Sequence, residues 1–264
     1  MSLRTRLDQL LVERGLAPSR AAAQAMLMAG EVELAGAGSR ALKPGQLVAA
    51  DAGVRVLERS RWASRAGAKL EAALDAFGID PTGLACLDAG ASTGGFTDVL
   101  LARGARIVYA VDVGRAQLLE RLRRDERVVT MERTNLRTLE RLPEEMQLAT
   151  LDLSFISLRL VLPAVGRLLA ADGQVVALVK PQFEAGKGVV PRGGVVSDPT
   201  VHRDVLMQFG EAAQIAGFDA RNLIRSPIAG GDGNLEFLAH LAAPPGLQPR
   251  DWEELVDVVS GTSG

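Results

Sequence analysis

Short apolar runs alternate with helical patterns over most of this chain, and this alternation constrains the fold more than any other feature. The strand candidates are Ala85–Asp88, Ile107–Asp112, Val128–Met131, Ala149–Leu153, Val175–Lys180, Ala220–Arg225 and Leu235–Leu241. Strands that alternate with helices are typical of βαβ units, in which successive strands run parallel in one sheet. The pattern therefore predicts an open, mainly parallel α/β sheet.

The residues before this region follow a different pattern. An apolar stripe on a first short helix is formed by Leu7, Leu10 and Leu11. Gly15 ends that helix, Ser19 caps a second one, and Gly30 ends the second. Strands are predicted at Glu31–Ala35 and Leu47–Ala50, with the turn GAGSR between them. The chain thus begins with a small α+β unit.

Charge is distributed unevenly between these two regions. The chain of 264 residues has a net charge of −2, but residues 1–61 carry +3 and the remainder −5. A net charge this close to zero argues against a general polyanion binder. A basic segment joined to an acidic domain suggests instead that one module binds nucleic acid. The basic or polar candidates are Arg4, Arg6, Arg14, Arg20 and Gln24.

Other features of the sequence exclude several classes of protein. Asp152, Arg159 and Arg167 interrupt the most apolar stretch, so no membrane-spanning helix is expected. The N-terminus has no signal-peptide core, and a lone cysteine, Cys86, cannot form an internal disulfide. The histidines have no neighbouring metal ligands, so no metal site is expected. These features favour a cytoplasmic protein.

A glycine-rich segment follows the first strand of the larger region. It reads LDAGASTGGF and begins at Leu87. Glycines let the backbone turn sharply against a ligand at the carboxyl end of a strand. A dinucleotide fingerprint would place glycine at position 92, where this chain has Ser92, which disfavours NAD.

The next two strands end in polar residues that suit an adenosyl ligand. Asp112 ends the second strand and can accept hydrogen bonds from both hydroxyls of an adenosine ribose. Asn135 follows the third strand, beside the expected adenine edge.

Three ionisable residues occupy the ends of later strands. Asp152 ends the fourth strand, Lys180 ends the fifth, and Glu236 lies within the seventh. Because a buried charge is costly without a partner, we expect these side chains to lie close together. Helical periodicity alone places Lys69 on the solvent face of the helix Ser64–Phe77.

The N-terminal segment closely resembles the alpha-L RNA-binding domain, which is named for a small-subunit ribosomal protein. The resemblance covers RLDQLLVERGLAPSRAAAQAMLMAGEVELAG and the following LKPG. It implies an RNA-binding domain over residues 1–58, joined by a linker at 59–63 to a second domain.

The second domain resembles the TlyA (hemolysin A) family, whose catalytic domain is similar to FtsJ-like ribose 2′-O-methyltransferases. The matching motifs are SRAGAKL, LDAGASTGGFTDVLL, AVDVG, ERTN, LDLSFISL, LVKPQFE and GNLEF. The resemblance implies a Rossmann-like class I methyltransferase sheet over residues 64–244 and a tail at 245–264. It also implies S-adenosylmethionine as cofactor and the ribose of a cytidine in ribosomal RNA as substrate.

The same resemblance assigns the site residues. The family's catalytic tetrad falls on Lys69, Asp152, Lys180 and Glu236. The implied cofactor contacts are Asp88, Gly90, Ser92, Gly94, Phe96, Asp112, Asn135 and Asp152.

The chemistry of a ribose hydroxyl fits these residue types. The hydroxyl is a poor nucleophile, so it must be held in line with the sulfonium methyl and lose its proton during transfer. Lys180 either takes that proton or stays charged and positions the hydroxyl. The sequence does not choose between the two roles.

Three other functions compete with this interpretation. A methyltransferase acting on a base amine would carry paired prolines after the fourth strand, where this chain has Asp152-Leu153-Ser154-Phe155. A non-catalytic ribosome-assembly factor would not need intact cofactor and tetrad motifs. A pore-forming toxin, suggested by the name hemolysin, would need a long amphipathic membrane segment that the sequence lacks.

Overall fold

The structure is a computed structural model that describes residues 4–35, 42–56, 61–186, 188–230, 233–243 and 252–261. The predicted turn GAGSR, residues 59 and 60 of the predicted linker, and residues 245–251 and 262–264 of the predicted tail lie outside these ranges. In the described part of the chain, no helix is both long and apolar enough to cross a membrane.

The N-terminal unit combines two helices with two small antiparallel strand pairs. Its elements are β1 (Arg4–Arg6), α1 (Leu7–Glu13), α2 (Arg20–Ala29), β2 (Val32–Leu34), β3 (Leu47–Ala49) and β4 (Val54–Val56). β1 pairs with β3, and β2 pairs with β4. The Ser19 hydroxyl accepts a hydrogen bond from the Ala22 amide, and Gly30 ends α2 in a left-handed conformation, which confirms both predicted helix boundaries.

The apolar stripe predicted on the first helix forms the core of this unit. Leu7, Leu10 and Leu11 are buried together with Leu27 of α2 and Val48 of β3. β1, which precedes α1, was not expected, because three residues are too few to show a strand period.

The larger unit begins with α3 (Ala66–Phe77), and its elements alternate as the sequence predicts. The strands are β5 (Ala85–Ala89), β6 (Ile107–Val111), β7 (Val128–Met131), β8 (Met146–Leu151), β9 (Leu169–Val179), β10 (Asp219–Arg225) and β11 (Phe237–Ala242). The helices that follow α3 are α4 (Gly95–Ala102), α5 (Glu120–Arg123), α6 (Leu162–Leu168), α7 (Pro181–Glu184), α8 (Pro199–Ile215) and α9 (Trp252–Ser260).

All seven strands form one sheet in the order β10-β11-β9-β8-β5-β6-β7. The five strands from β9 to β7 are parallel, whereas β11 runs antiparallel to β9 and β10 antiparallel to β11. Buried apolar clusters cover both faces. The predicted α/β fold class is therefore confirmed, and the carboxyl ends of the parallel strands share one edge.

Strand ends differ from the prediction where turns intervene. β9 begins at Leu169, six residues earlier than predicted, and β11 begins at Phe237 rather than Leu235. Glu236 therefore lies just before its strand, not within it. The Gly230 amide donates to the Asn234 carbonyl at 2.9 Å, and the Ser226 amide donates to the Glu236 carbonyl at 2.8 Å just before β11 begins.

The residues that lead into the larger unit pack against it. Trp62 and Ala63 are buried, and the Ala63 amide donates to Oδ2 of Asp98 in α4 at 2.8 Å. The Trp62 indole donates to Oε2 of Glu71 in α3 at 3.1 Å. These contacts fix the start of the larger unit to α3 and to α4, the helix that follows the glycine-rich segment.

Candidate active site

The glycine-rich segment forms a tight loop between β5 and α4. Gly90 has φ +85° and Gly94 has φ +97°, a region that favours glycine, and Ser92 adopts φ +47° between them. A Cβ atom on Gly90 would come within 3.0 Å of the Asp152 carbonyl carbon and oxygen. The loop therefore lies directly against the end of β8, and only glycine fits there.

Asp112, at the end of β6, holds the other side of this loop. Its Oδ2 accepts from the Ser92 amide at 2.9 Å, and its Oδ1 accepts from the Gly114 amide at 2.6 Å. The cleft beside it is lined by Ala91, Ser92, Ala110, Asp112, Gly114, Gln117, Leu118, Thr130 and Glu132. Each carboxylate oxygen retains a second lone pair for a hydroxyl donor.

The remaining predicted cofactor residues occupy different environments. The Phe96 ring is buried in the core beneath the loop. Oδ1 of Asn135 accepts from the Arg137 amide at 3.1 Å and so caps the short helix Leu136–Thr138. Neither side chain lines the cleft beside Asp112, so their proposed contacts with a cofactor stay predictions.

Asp88 is fully buried beneath the loop. The Thr97 hydroxyl donates to its Oδ2 at 2.6 Å, and the Thr150 hydroxyl lies 3.3 Å from its Oδ1. Burial raises the pKa of Asp88 to about 7, an effect that the Thr97 hydrogen bond opposes and the charge of Asp152 reinforces. The Asp88 side chain therefore links β5 to α4 and β8 within the core, and its contact with a cofactor stays a prediction.

Lys180 follows β9 and is nearly buried. Its Nζ lies 2.6 Å from Oδ1 of Asp152, which directly follows β8, and donates to the Ser154 hydroxyl at 3.0 Å. Because the carboxyl ends of β8 and β9 are neighbours in the sheet, the predicted proximity of Asp152 and Lys180 is confirmed. Two acceptors thus fix the direction of one amine.

Lys69 forms a second ion pair, with Glu236. Lys69 is only 7% exposed and Glu236 is 3% exposed. Helical periodicity was therefore wrong in placing Lys69 toward solvent, because the sheet end covers this face of α3. A Cβ atom on Gly230 would also come within 3.0 Å of a Glu236 carboxylate oxygen, so the preceding turn encloses this carboxylate.

Strand register brings the two ion pairs to the same edge of the sheet. Phe237 of β11 pairs with Val179 of β9, so the residues next to them, Glu236 and Lys180, occupy the following register position. Directly opposed residues of antiparallel strands project to the same face. The four tetrad positions therefore converge from α3, β8, β9 and β11.

Three further residues lie at this edge: Ser154, Phe155 and Phe183. Ser154 accepts from Lys180, Phe155 is 92% exposed with φ +64°, and the Phe183 ring lies 5.1 Å from that of Phe155. The Lys180 ammonium lies 5.9 Å from the Phe183 ring. Nothing in the local pattern marks these residues, because backbone strain and ring contacts appear only in the folded chain.

Three of the five polar residues predicted to contact RNA in the N-terminal unit converge on one buried carboxylate. Asp8 accepts from both Nε and Nη2 of Arg6, from Nε of Arg20 and from Nε2 of Gln24, all at 2.9 to 3.0 Å. The Arg6 hydrogen bonds lower the pKa of Asp8. The Arg6 and Arg20 side chains nevertheless remain 39% and 52% exposed, so two cations share one buried anion.

Arg14 and Arg4 are placed differently from the other three. Arg14 donates to the carbonyls of Ala50 and Ala52 at 2.7 and 2.6 Å, and Arg4 is an exposed residue of β1. RNA contacts by all five residues stay predictions.

Two family models match this chain. The FtsJ-like methyltransferase family matches residues 62–243, and the S4 domain family matches residues 5–52. The first match covers most of the chain and includes the glycine-rich loop and both ion pairs.

Known proteins resemble the chain over nearly its full length. A Bacillus subtilis rRNA methyltransferase candidate, YqxC, is 48% identical over 250 residues, 92% of this chain and 87% of its own. The 16S/23S rRNA (cytidine-2′-O)-methyltransferase TlyA of Mycobacterium tuberculosis is 46% identical over 245 residues, 91% of each chain. The solved structure of a Streptococcus thermophilus hemolysin candidate is 42% identical with a TM-score of 0.74, covering 99% of this chain and 97% of the other. With its S4 domain and FtsJ-like domain, this chain belongs to the TlyA (hemolysin A) family of methyltransferases.

Proposed function

We propose that this protein transfers a methyl group from S-adenosylmethionine to the ribose 2′-hydroxyl of a cytidine in ribosomal RNA. One observation carries the proposal. The Lys180 amine, held by Asp152 and Ser154, lies at the sheet edge where the glycine-rich loop also ends. A fixed amine beside a nucleotide-type loop suits transfer to a hydroxyl, whose oxygen must be aligned and whose proton must leave.

The residues at the loop fit S-adenosylmethionine. Gly90 and Gly94 let the loop pack tightly against the Asp152 carbonyl and against Leu118 and Leu122, where a Cβ atom would collide. Asp112 offers carboxylate oxygens at the end of β6. Leu118 gives the cleft an apolar wall suited to a purine face. When bound there, S-adenosylmethionine supplies the methyl group as a sulfonium. Asp112 would bind the ribose hydroxyls of the cofactor, and the glycine-rich loop would hold the rest of the cofactor against the end of β8.

The tetrad then acts on the substrate hydroxyl. Asp152 and Ser154 hold the Lys180 amine in one direction, so that it either accepts the hydroxyl proton or holds the hydroxyl oxygen in line. Lys69 and Glu236 form the second ion pair at this edge, in which the Glu236 carboxylate neutralises the Lys69 ammonium. Pairing makes both buried charges tolerable next to the reacting atoms.

Phe155 and Phe183 would bind the base of the target nucleotide. Enzymes that do chemistry on a base draw its nucleotide out of the stack, and proteins that recognise single-stranded RNA stack splayed-out bases on aromatic side chains. The Phe155 ring is exposed and next to the Lys180 site, which is the position such a surface requires. The N-terminal unit, with its exposed Arg6 and Arg20, would bind the surrounding rRNA backbone.

The structure also bears on the competing functions. A base amine is planar and is usually held by backbone and side-chain oxygens, whereas the chain after β8 here directs a serine and a carboxylate toward a lysine. A non-catalytic assembly factor would not need two ion pairs buried at the cofactor edge, where unpaired charge is costly.

The experiment uses methyl-labelled S-adenosylmethionine with purified ribosomal subunits of both sizes, followed by mapping of each modified nucleotide. A matched RNA substrate then carries a single 2′-deoxycytidine at the mapped position. This change removes the proposed nucleophile and leaves every base atom in place. We expect methylation at that residue to cease. Continued labelling of the same nucleotide would reject the 2′-oxygen and indicate base methylation, and a lack of labelling in any RNA would favour the assembly factor.

A further inference from the structure

Two chain segments meet beside the Lys180 amine, and they contact each other at three successive levels. The first segment, residues 152–158, follows β8, and the second, residues 180–184, follows β9. Lys180 contacts Asp152 and Ser154 at the first level, and the Phe155 and Phe183 rings meet at the second. Glu184 makes the third contact, and the proposed mechanism gives it no role.

Glu184 is only 4% exposed, and both of its carboxylate oxygens are occupied by the first segment. Oε2 accepts from the Ser157 hydroxyl at 2.6 Å, and Oε1 accepts from the Leu158 amide at 2.7 Å. Arg159 lies 3.6 Å from Oε2 and donates to the Glu184 carbonyl at 3.0 Å. Hydrogen bonds to a carboxylate are among the stronger ones in proteins, so this contact is a firm attachment.

The first segment needs such an attachment because its backbone is strained. Phe155 adopts φ +64°, an unfavourable conformation for a non-glycine residue that persists only where the surroundings enforce it. The start of the segment is fixed by the Asp152 amide, which donates to the Ala89 carbonyl at 2.9 Å. Glu184 fixes the other end, and Ser154 and Phe155 lie between these two fixed points.

We infer that Glu184 is a positioning residue for methyl transfer: by holding residues 157 and 158, it keeps Ser154 against Lys180 and Phe155 against Phe183. It touches neither the reacting atoms nor the base. The inference rests on the proposed function for the meaning of the Lys180 site, but the attachment itself can be measured without any substrate.

The test compares Glu184→Ala, Glu184→Gln and Ser157→Ala with the wild type. Single-turnover methylation is measured at saturating S-adenosylmethionine and RNA, cofactor affinity by calorimetry, and amide hydrogen exchange on peptides spanning 152–160. Glu211 is exposed on α8, so Glu211→Ala serves as the matched loss of a carboxylate.

We expect Glu184→Ala to slow the single-turnover rate about ten- to a hundredfold, because misplacing catalytic groups by about 1 Å has effects of that order. Cofactor affinity should stay within about twofold, and exchange in 152–160 should accelerate. Glu184→Gln should recover most of the rate, since its oxygen can accept from Leu158 and its amide nitrogen can donate to Ser157. Glu211→Ala should behave as wild type.

A folded Glu184→Ala protein with wild-type turnover and exchange would overturn the inference. So would a slow Glu184→Ala protein whose amide exchange in 152–160 is unchanged, because the loss of rate would then have another cause.

If Glu184→Ala does not fold, Ser157→Ala decides. This substitution removes one of the two hydrogen bonds to the Glu184 carboxylate, at a partly exposed position. It should still slow turnover several-fold and accelerate amide exchange in 152–160. Wild-type behaviour of Ser157→Ala would then count against the role. Should the wild type methylate no RNA, the proposed function fails while the exchange data still decide whether Glu184 holds the segment.

Discussion

The Nζ atom of Lys180 lies 2.6 Å from Oδ1 of Asp152, across the boundary between two adjacent parallel strands. We expect Lys180→Ala to abolish turnover while S-adenosylmethionine binding persists, because the lost interaction acts mainly in the transition state. Single-turnover kinetics and calorimetry on the same preparation measure the two effects. Equal loss of cofactor binding and turnover would place Lys180 in the cofactor site instead.

A substitution at Gly230 tests whether the position of the Glu236 carboxylate matters for methyl transfer. In Gly230→Ala the new methyl group would collide with the Glu236 carboxylate, so the carboxylate should shift and weaken its ion pair with Lys69. We expect at least a tenfold lower single-turnover rate, equivalent to about 1.4 kcal/mol in the barrier. Gly193→Ala is the control, because a Cβ atom there meets nothing within 4 Å. Equal rates for the two variants would show that the position of Glu236 is not critical.

Asp112 is expected to determine cofactor affinity. Asp112→Ala removes the carboxylate that would bind the ribose hydroxyls, worth roughly 1.5 to 3 kcal/mol, so affinity should fall about ten- to a hundredfold. The variant also loses the hydrogen bonds that hold the Ser92 and Gly114 amides. Asp80→Ala, which removes an exposed carboxylate bonded to Thr82, is the matched control for calorimetry. Wild-type affinity in a folded Asp112→Ala protein would refute the assignment.

The raised pKa of Asp88 predicts that the stability of the protein depends on pH. Its pKa is raised by burial to about 7 in the folded protein, from 3.8 when unperturbed. Between these values the folded state binds the extra proton, so the contribution of Asp88 to the free energy of unfolding falls as pH rises from about 4 to about 7. Asp88→Asn cannot titrate. Its melting temperature should therefore rise relative to the wild type across this window, as followed by thermal unfolding in buffers of constant ionic strength. Parallel curves for the two proteins would contradict the raised pKa.

The N-terminal unit is expected to supply most of the RNA affinity. A protein lacking residues 1–58 retains Trp62 and Ala63, which pack on the larger unit, so it should fold and bind S-adenosylmethionine. Its RNA affinity should be mostly lost, and binding by the full chain should weaken steeply with salt because phosphate contacts release counterions. Filter binding at several salt concentrations measures both. Unchanged affinity in the shortened protein would assign RNA binding to the larger unit, whereas failure of the shortened protein to fold would argue against a domain boundary near residue 58.

Local sequence patterns were sufficient for the architecture and for the expectation that Asp152, Lys180 and Glu236 share one edge of the sheet. The strand and helix periods predicted the parallel sheet, and the glycines after β5 marked the loop, because both features depend on residues a few positions apart. Asp152 and Lys180 were recognisable as neighbours because parallel strands end at one edge. Conversely, no pattern in the neighbouring residues of the sequence indicates the strained backbone at Phe155 or the hydrogen bonds of Glu184.

Which buried charges pair, and where Lys69 lies, was decided by tertiary structure. Lys69 and Glu236 are 167 positions apart, and their contact requires α3 to pack on the sheet and β11 to pair antiparallel with β9 in one register. Helical periodicity describes only which residues share a face, not what covers that face, so it placed Lys69 in solvent. Asp8 illustrates the same limit, because its neighbours in sequence do not reveal that Arg6, Arg20 and Gln24 all donate to it. The sequence by itself determined which elements form and which polar residues end them. The packing of those elements determined which charges are paired, since a buried charge is stable only where the fold brings it a partner.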